Sequence, residues 1–157
     1  MVHLAASRDV VIPGSRYAVA GRDPGTAPTA TDDTLLQLLR TRAINTQLAP
    51  RVEPFRFCAL IATAPDRGAC SYVDGLLHVL PQALGRPLLV RRPGGATPSF
   101  DEAWIIGLIA SMKRGDGASI QFALASRVSK PFRRPLAFIL NGLSRRLDGE
   151  AERTRSG

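Results

Sequence analysis

Apolar residues recur at spacings of three and four in several separate stretches of this chain, and glycines and prolines lie between the stretches. This spacing places the apolar side chains on one face of an α-helix. The clearest stripe lies near the carboxyl end of the chain and comprises Leu136, Ile139, Leu140, Leu143 and Leu147. The pattern predicts an all-α fold, an orthogonal bundle of five to six helices with short connections.

Capping residues predict where several helices begin. Ser99 and Glu102 form a capping box, in which a hydroxyl and a carboxylate satisfy backbone donors at a helix start, and this helix is expected to run to about Arg114. For the apolar stretch 54–63, Pro54 favours a helix over a buried strand. The other predicted elements are helices over residues 33–48, 68–84, 117–129 and 134–148, and a short extended segment over 87–91.

Two prolines and a glycine predict the ends of the last two helices. Pro131 is expected to terminate helix 117–129, and the last helix is expected to start near residue 134, with Pro135 in its first turn. Gly149 begins a charged, polar tail. At the other end of the chain, Thr31 or Asp32 is expected to cap the first helix.

The length of 157 residues fits one domain, which at this size needs no disulfide or metal for stability. Apolar residues make up 45% of the chain and charged residues 22%, which excludes wholesale disorder, collagen and coiled-coil repeats. We expect a flexible arm over residues 1–30, a helical domain over 31–148 and a disordered tail over 149–157.

The positive charge is concentrated in one part of the sequence. The net charge at pH 7 is +8, and residues 86–146 carry eleven basic and three acidic side chains, an excess that equals the whole net charge. Residues 127–146 contain six basic side chains and no acidic one. Such a local excess favours an anionic partner.

The cysteines and the hydropathy pattern indicate the compartment. Cys58 and Cys70 are too few for a disulfide framework, which favours a reducing environment. The first residues lack the apolar core of a signal peptide, and no apolar run reaches the roughly 18 residues of a membrane span. We therefore expect a cytoplasmic protein without a membrane span.

One stretch has the spacing of a metal site. Cys70, Asp74 and His78 lie four residues apart on one helix. A structural zinc normally needs four ligands, and the chain offers only one further histidine, His3. These residues are better explained as the polar flank of a leucine-rich helix, so we expect no metal, no cofactor and no catalytic residues here.

The last helix is predicted to carry a basic and aromatic surface opposite its leucine stripe. An exposed phenylalanine flanked by guanidinium groups suits a phosphate backbone, an acidic protein groove or another subunit. The alternative is that the phenylalanine packs under a neighbouring helix and the arginines are a solvated rim. The candidate residues are Arg134, Phe138, Asn141 and Arg145, with Arg133 and Arg146 nearby.

A glycine-rich loop offers a second candidate site for phosphate or a partner. Arg91 and Arg92 precede two glycines and lead into the start of the helix at Ser99, which in outline is an anion-binding arrangement. The competing interpretation is a plain turn, because Asp101 and Glu102 in the first turn of that helix would repel an anion.

Residues 86–90 (RPLLV), the proline-containing loop and the helix opening Ser-x-Asp-Glu-Ala at 99–103 resemble small, uncharacterised all-helical proteins that are common in alphaproteobacteria. The resemblance covers residues 55–114. It implies an all-helical bacterial protein and no particular activity.

Three hypotheses about function follow. The first is a non-catalytic helical interaction module whose basic C-terminal half binds an acidic protein partner or forms a homo-oligomer. The second is a nucleic-acid-binding protein that uses residues 127–146 as a basic footprint. An enzyme of unknown class comes third, because no set of acid, base and nucleophile converges in the sequence.

Overall fold

The computed structural model describes residues 29–46, 53–63, 68–95 and 97–157. Within these ranges the chain forms six α-helices and no β-strand, which confirms the predicted all-α bundle. The predicted flexible arm lies outside the described residues except for its last two. The helices are α1 (Ala30–Thr46), α2 (Pro54–Ala62), α3 (Ala69–Leu84), α4 (Phe100–Lys113), α5 (Gly117–Arg127) and α6 (Lys130–Ser156).

The start of α4 confirms the capping box. The backbone amide of Glu102 donates to the hydroxyl of Ser99 at 3.2 Å, and the amide of Ser99 donates to the Glu102 carboxylate at 2.7 Å. The start of α1 differs from the prediction, because the cap is Thr29 rather than Thr31 or Asp32. Thr29 and Asp32 exchange the same two types of hydrogen bond, so Asp32 completes the box instead of capping the helix.

Helix α6 extends beyond its predicted bounds at both ends. It begins at Lys130 with Pro131 in its first turn, so Pro135 lies inside the helix and not at its start. It also continues to Ser156, through the residues predicted to be a disordered tail. Gly149 costs about 1 kcal/mol relative to alanine, but the good helix formers that follow it sustain the helix. Among the described helices, none combines the length and the apolar character that a membrane crossing requires.

Helices α3 and α6 form the centre of the bundle. α3 packs against α1, α2 and α6, while α4 packs against α1, α5 and α6. The start of α6 is tied to the end of α3, because the hydroxyl of Ser129 donates to the carbonyl of Ala83 at 3.2 Å. The predicted leucine stripe of α6 is wholly buried, and the core consists mainly of this stripe together with Leu35, Leu39, Val73, Leu76, Leu80, Ile105 and Leu108.

Two glycines allow aromatic rings to lie directly against helix backbones. A Cβ atom on Gly75 would lie 1.9 Å from the ring of Phe57, and a Cβ atom on Gly142 would lie 2.1 Å from the ring of Tyr72. Real Cβ atoms do not approach other atoms this closely. Gly75 therefore lets α2 pack on α3, and Gly142 lets α3 pack on α6.

We expect Gly142→Ala to lower the free energy of unfolding by about 1 to 3 kcal/mol, because the added methyl group displaces the buried ring of Tyr72. Gly149, on the same helix, is the matched control, since nothing lies within 4 Å of its Cβ position. Gly149→Ala should raise stability by up to about 1 kcal/mol through helix propensity alone. Urea unfolding of both variants tests the packing, and a shift of the same sign in the two would contradict it.

Candidate functional site

Four of the predicted residues form one continuous surface on α6, which we call the α6 face: Arg134, Phe138, Asn141 and Arg145. All four side chains are exposed, and that of Phe138 is 44% exposed. The α6 face lies opposite the buried stripe because its members follow one another at spacings of four, three and four. Phe138 does not pack under a neighbouring helix, which was the alternative that the sequence left open.

The two arginines of the α6 face have no partner within the described part of the chain. There, neither Arg134 nor Arg145 forms a hydrogen bond or an ion pair. The helix carries no acidic residue before Asp148, and Asp148 pairs with Lys113 of α4 at 2.9 Å. The surface is therefore positive at both ends and apolar at its centre.

The two remaining arginines of α6 lie beside this face. Arg133 is partly buried, and its guanidinium donates to the carbonyls of Val128 at 2.9 Å and Ala125 at 3.3 Å. These bonds satisfy carbonyl groups at the end of α5, so Arg133 stabilises the end of that helix. Arg146 is also partly buried and has interactions within the fold. We therefore leave both arginines out of the α6 face.

Arg91 and Arg92 lie away from the α6 face, in the segment between α3 and α4. Together with His78 they line a cleft bounded by the ends of α1 and α3 and by residues 85–93, to which no residue of α6 contributes. The guanidinium of Arg91 donates to the hydroxyl of Thr97 at 2.9 Å. The structure thus divides the predicted site residues between two surfaces.

A buried carboxylate holds this segment in place. Glu102 is fully buried and accepts hydrogen bonds from the guanidinium of Arg40 at 3.0 and 3.1 Å and from the backbone amide of Arg91 at 2.8 Å. The same guanidinium donates to the carbonyls of Gly95 and Thr97 at 2.6 and 3.1 Å. The amide of Ser99 donates to the same carboxylate, so a buried negative charge already occupies the start of α4. This favours the plain-turn interpretation of the glycine-rich loop.

The neighbouring carboxylate, Asp101, forms a second buried cluster. It accepts from the guanidinium of Arg86 at 2.7 and 2.9 Å, from that of Arg127 at 2.6 Å and from the amide of Leu89 at 2.8 Å. Arg127 also lies over the ring of Trp104, 4.8 Å from its centre. Asp101 and Glu102 thus pair with three arginines, Arg40, Arg86 and Arg127.

At both carboxyl groups, hydrogen bonding lowers the pKa by more than burial raises it. Burial raises the pKa of Asp101, but the bonds from Arg86, from the amide of Leu89 and from Arg127 lower that pKa to about 2. Burial likewise raises the pKa of Glu102, and the bonds from Arg40 and two backbone amides bring it below its ordinary value. Both groups are therefore ionised at neutral pH.

We expect the ionisation of Asp101 to make the free energy of unfolding depend on pH. Its pKa is about 2 in the folded state against 3.8 for the unfolded reference, so ionised Asp101 contributes about 2 kcal/mol above pH 4. About half of this contribution should be lost by pH 3, because the carboxyl of the unfolded chain becomes protonated while that of the folded chain stays mostly ionised. Urea unfolding of the wild type and of Asp101→Asn measures this contribution. The difference between their free energies of unfolding should shrink by about half between pH 5 and pH 3. A difference independent of pH would contradict the assignment.

The stretch with metal-like spacing does not form a site. The carboxylate of Asp74 is held by the guanidinium of Arg42 from α1. Across the described ranges, no group of three or more histidine, cysteine, aspartate or glutamate side chains could hold a metal ion.

The two buried clusters that shape the cleft could not be predicted from the sequence. A signal was present for Arg40, which follows Leu36 by four residues and so falls on the core-facing stripe of α1. No such signal identifies its partner, because Glu102 lies 62 residues further along the chain.

These assignments come from residues and geometry alone. In the comparisons with known proteins, no protein-family model, no curated protein and no solved structure matches this chain.

Proposed function

We propose that this protein is a non-catalytic helical interaction module that binds an acidic protein partner through the α6 face. The observation that carries the proposal is the position of Phe138, which is 44% exposed between two arginines that have no partner among the described residues. Aromatic and arginine side chains are enriched at protein interfaces and dominate their binding energy. An acidic groove would cover the ring and pair with both guanidinium groups.

Phe122, another exposed aromatic residue, lacks this setting. Phe122 on α5 is 75% exposed, but its exposed neighbours on that helix are the uncharged residues Ala118, Gln121 and Ala125. Phe122 is therefore a suitable control position, because it offers exposed aromatic area without positive charge beside it.

Charge decides between an acidic partner and a second copy of the chain. A symmetric dimer through the α6 face would place the same patch on both subunits, so arginines would face arginines. Like charges opposite one another oppose association. We therefore favour a different, acidic protein over a homo-oligomer, and we place the interaction in the cytoplasm on the basis of the cysteine usage.

Nucleic acid is the competing partner, supported by the excess of basic residues in 127–146. The structure lowers the number of arginines available to phosphates, because Arg127 pairs with Asp101 and Arg133 caps α5. An enzyme of unknown class stays the third hypothesis.

The test is capture of partners from a lysate on the immobilised protein, with and without nuclease, followed by affinity measurements on the purified partner. For a protein partner, Phe138→Ala should weaken binding by about tenfold or more, and by more than either single arginine substitution. Arg134→Glu combined with Arg145→Glu should abolish binding. Phe122→Ala and Arg56→Glu, which change exposed residues on α5 and α2, are the controls and should bind normally.

Nucleic acid would give a different pattern. Nuclease treatment would then abolish capture, and each arginine substitution would weaken binding by about the same factor. The slope of log K against log salt concentration would become shallower by about one unit per arginine removed. That result would replace the protein partner with nucleic acid. Binding of either kind that survives the double charge reversal would exclude the α6 face altogether.

A further inference from the structure

The cleft that contains Arg91 and Arg92 has a volume of about 1250 Å³. It opens between the last turns of α1, the second half of α3 and residues 85–93. Pockets that bind small molecules typically combine an apolar lining with a few polar groups and have volumes of this order. The cleft is therefore large enough for a small organic molecule.

The polar lining of the cleft contains several positively charged side chains. It comprises four arginines, one histidine and a few neutral groups, and no aspartate or glutamate is among the described residues that line it. Arg40 is paired with Glu102, and Arg86 is paired with Asp101. Arg92, by contrast, is exposed and forms no hydrogen bond or ion pair with the described part of the chain. The side chain of His78 is partly buried and likewise forms no hydrogen bond or ion pair with the described residues, and its ring N–H can donate to an anion.

The other lining residues are apolar. Leu77 is buried, Leu88 and Val90 are partly buried, and Ile44 is 56% exposed at the edge of the cleft. These side chains offer apolar area next to the positive groups. A ligand that fits both features carries a negative head and an apolar body.

One wall of the cleft is fixed before any ligand binds. The amides of Leu89 and Arg91 donate to Asp101 and Glu102, so two positions of the wall are bonded to buried carboxylates. The hydroxyl of Ser99 donates to the carbonyl of Leu89 between them. A fixed wall favours binding, because little conformational entropy is lost when the ligand enters.

We propose that this cleft binds a small amphipathic organic anion, with its carboxylate or phosphate head at Arg92 and His78 and its apolar body against Ile44, Leu88 and Val90. The presence in one cleft of two side chains without a described partner, Arg92 and His78, and of apolar side chains on a fixed wall carries the proposal. It does not depend on the α6 face, which lies on other residues.

The test uses nuclear magnetic resonance of the full chain, titrated with 4-phenylbutyrate and, separately, with hexyl phosphate. At least one anion should give saturable shifts at residues 86–92 and at the His78 ring, with a Kd below about 1 mM. The neutral 4-phenylbutyramide should bind at least about fivefold more weakly than 4-phenylbutyrate, because it lacks the charge. Comparison of the two anions shows whether carboxylate or phosphate is preferred.

Variants assign the binding to the proposed residues. Arg92→Gln should weaken binding of the anion at least about fivefold, since a charge-assisted bond becomes a neutral one. Arg56→Gln is the matched control and should leave the Kd unchanged, because Arg56 is an exposed arginine outside the cleft. The proposal is overturned if neither anion gives saturable shifts up to about 10 mM, if the shifts lie outside the cleft, or if Arg92→Gln binds as well as the wild type.

Discussion

Replacing Arg40 by alanine is expected to lower the free energy of unfolding by about 3 to 5 kcal/mol. Arg40 and Glu102 are both fully buried, and the guanidinium meets the carboxylate with two hydrogen bonds. Without the guanidinium, the Glu102 carboxylate stays buried with only backbone donors, and the carbonyls of Gly95 and Thr97 lose their donor. An uncompensated buried charge is among the most costly defects that a single substitution can produce.

Arg42 provides the control on the same helix. It pairs with Asp74, but the two side chains are 33% and 28% exposed, so water screens the pair. Arg42→Ala should therefore cost less than about 1 kcal/mol. Urea unfolding at neutral pH measures both variants, and equal losses would show that burial of the Arg40 pair is not what makes it important.

Removal of the indole of Trp104 is expected to lower the free energy of unfolding by a similar amount, about 3 to 5 kcal/mol. Trp104 is only 5% exposed and belongs to the hydrophobic core. Its ring also supports the guanidinium of Arg127, which is bonded to Asp101. Trp104→Ala therefore leaves a cavity in the core and removes the surface on which Arg127 lies.

Phe100 separates these two effects. Its ring contacts the same guanidinium, with 4.6 Å between the ring centre and the carbon of Arg127, but its side chain is 52% exposed. Phe100→Ala should cost about 1 kcal/mol, the value of an exposed cation–π contact with little cavity. Equal losses for Trp104→Ala and Phe100→Ala would mean that the contact with Arg127, and not burial, stabilises this region.

Most of the helices could be predicted because their signals are local. The capping box at Ser99 depends on residues three apart, and the stripe of α6 depends on residues three and four apart. The start of α6 could not be placed correctly from Pro135, because the helix contains this proline in its interior, where the proline ring normally disfavours a helix. The carbonyl of Pro135 itself lies 3.8 Å from the sulfur of Cys58 on α2.

The candidate sites also differ in whether residues close together or far apart in the sequence form them. The α6 face could be predicted because all four members share one helix. The role of Arg133 could not, because it depends on where α5 ends. The cleft could not be predicted either, since α1, α3 and the segment before α4 form it together, and a buried pair 62 residues apart fixes one of its walls.

The most direct measurement places a photo-cross-linking phenylalanine analogue at position 138 in living cells, with position 122 as the control. We expect irradiation to join the protein to an acidic protein through position 138, in a product that resists nuclease. The product should be absent from position 122 and should disappear when Arg134 and Arg145 are replaced by glutamate. No cross-link at position 138, a product that nuclease removes, or one that survives the double charge reversal would contradict an acidic protein partner on the α6 face.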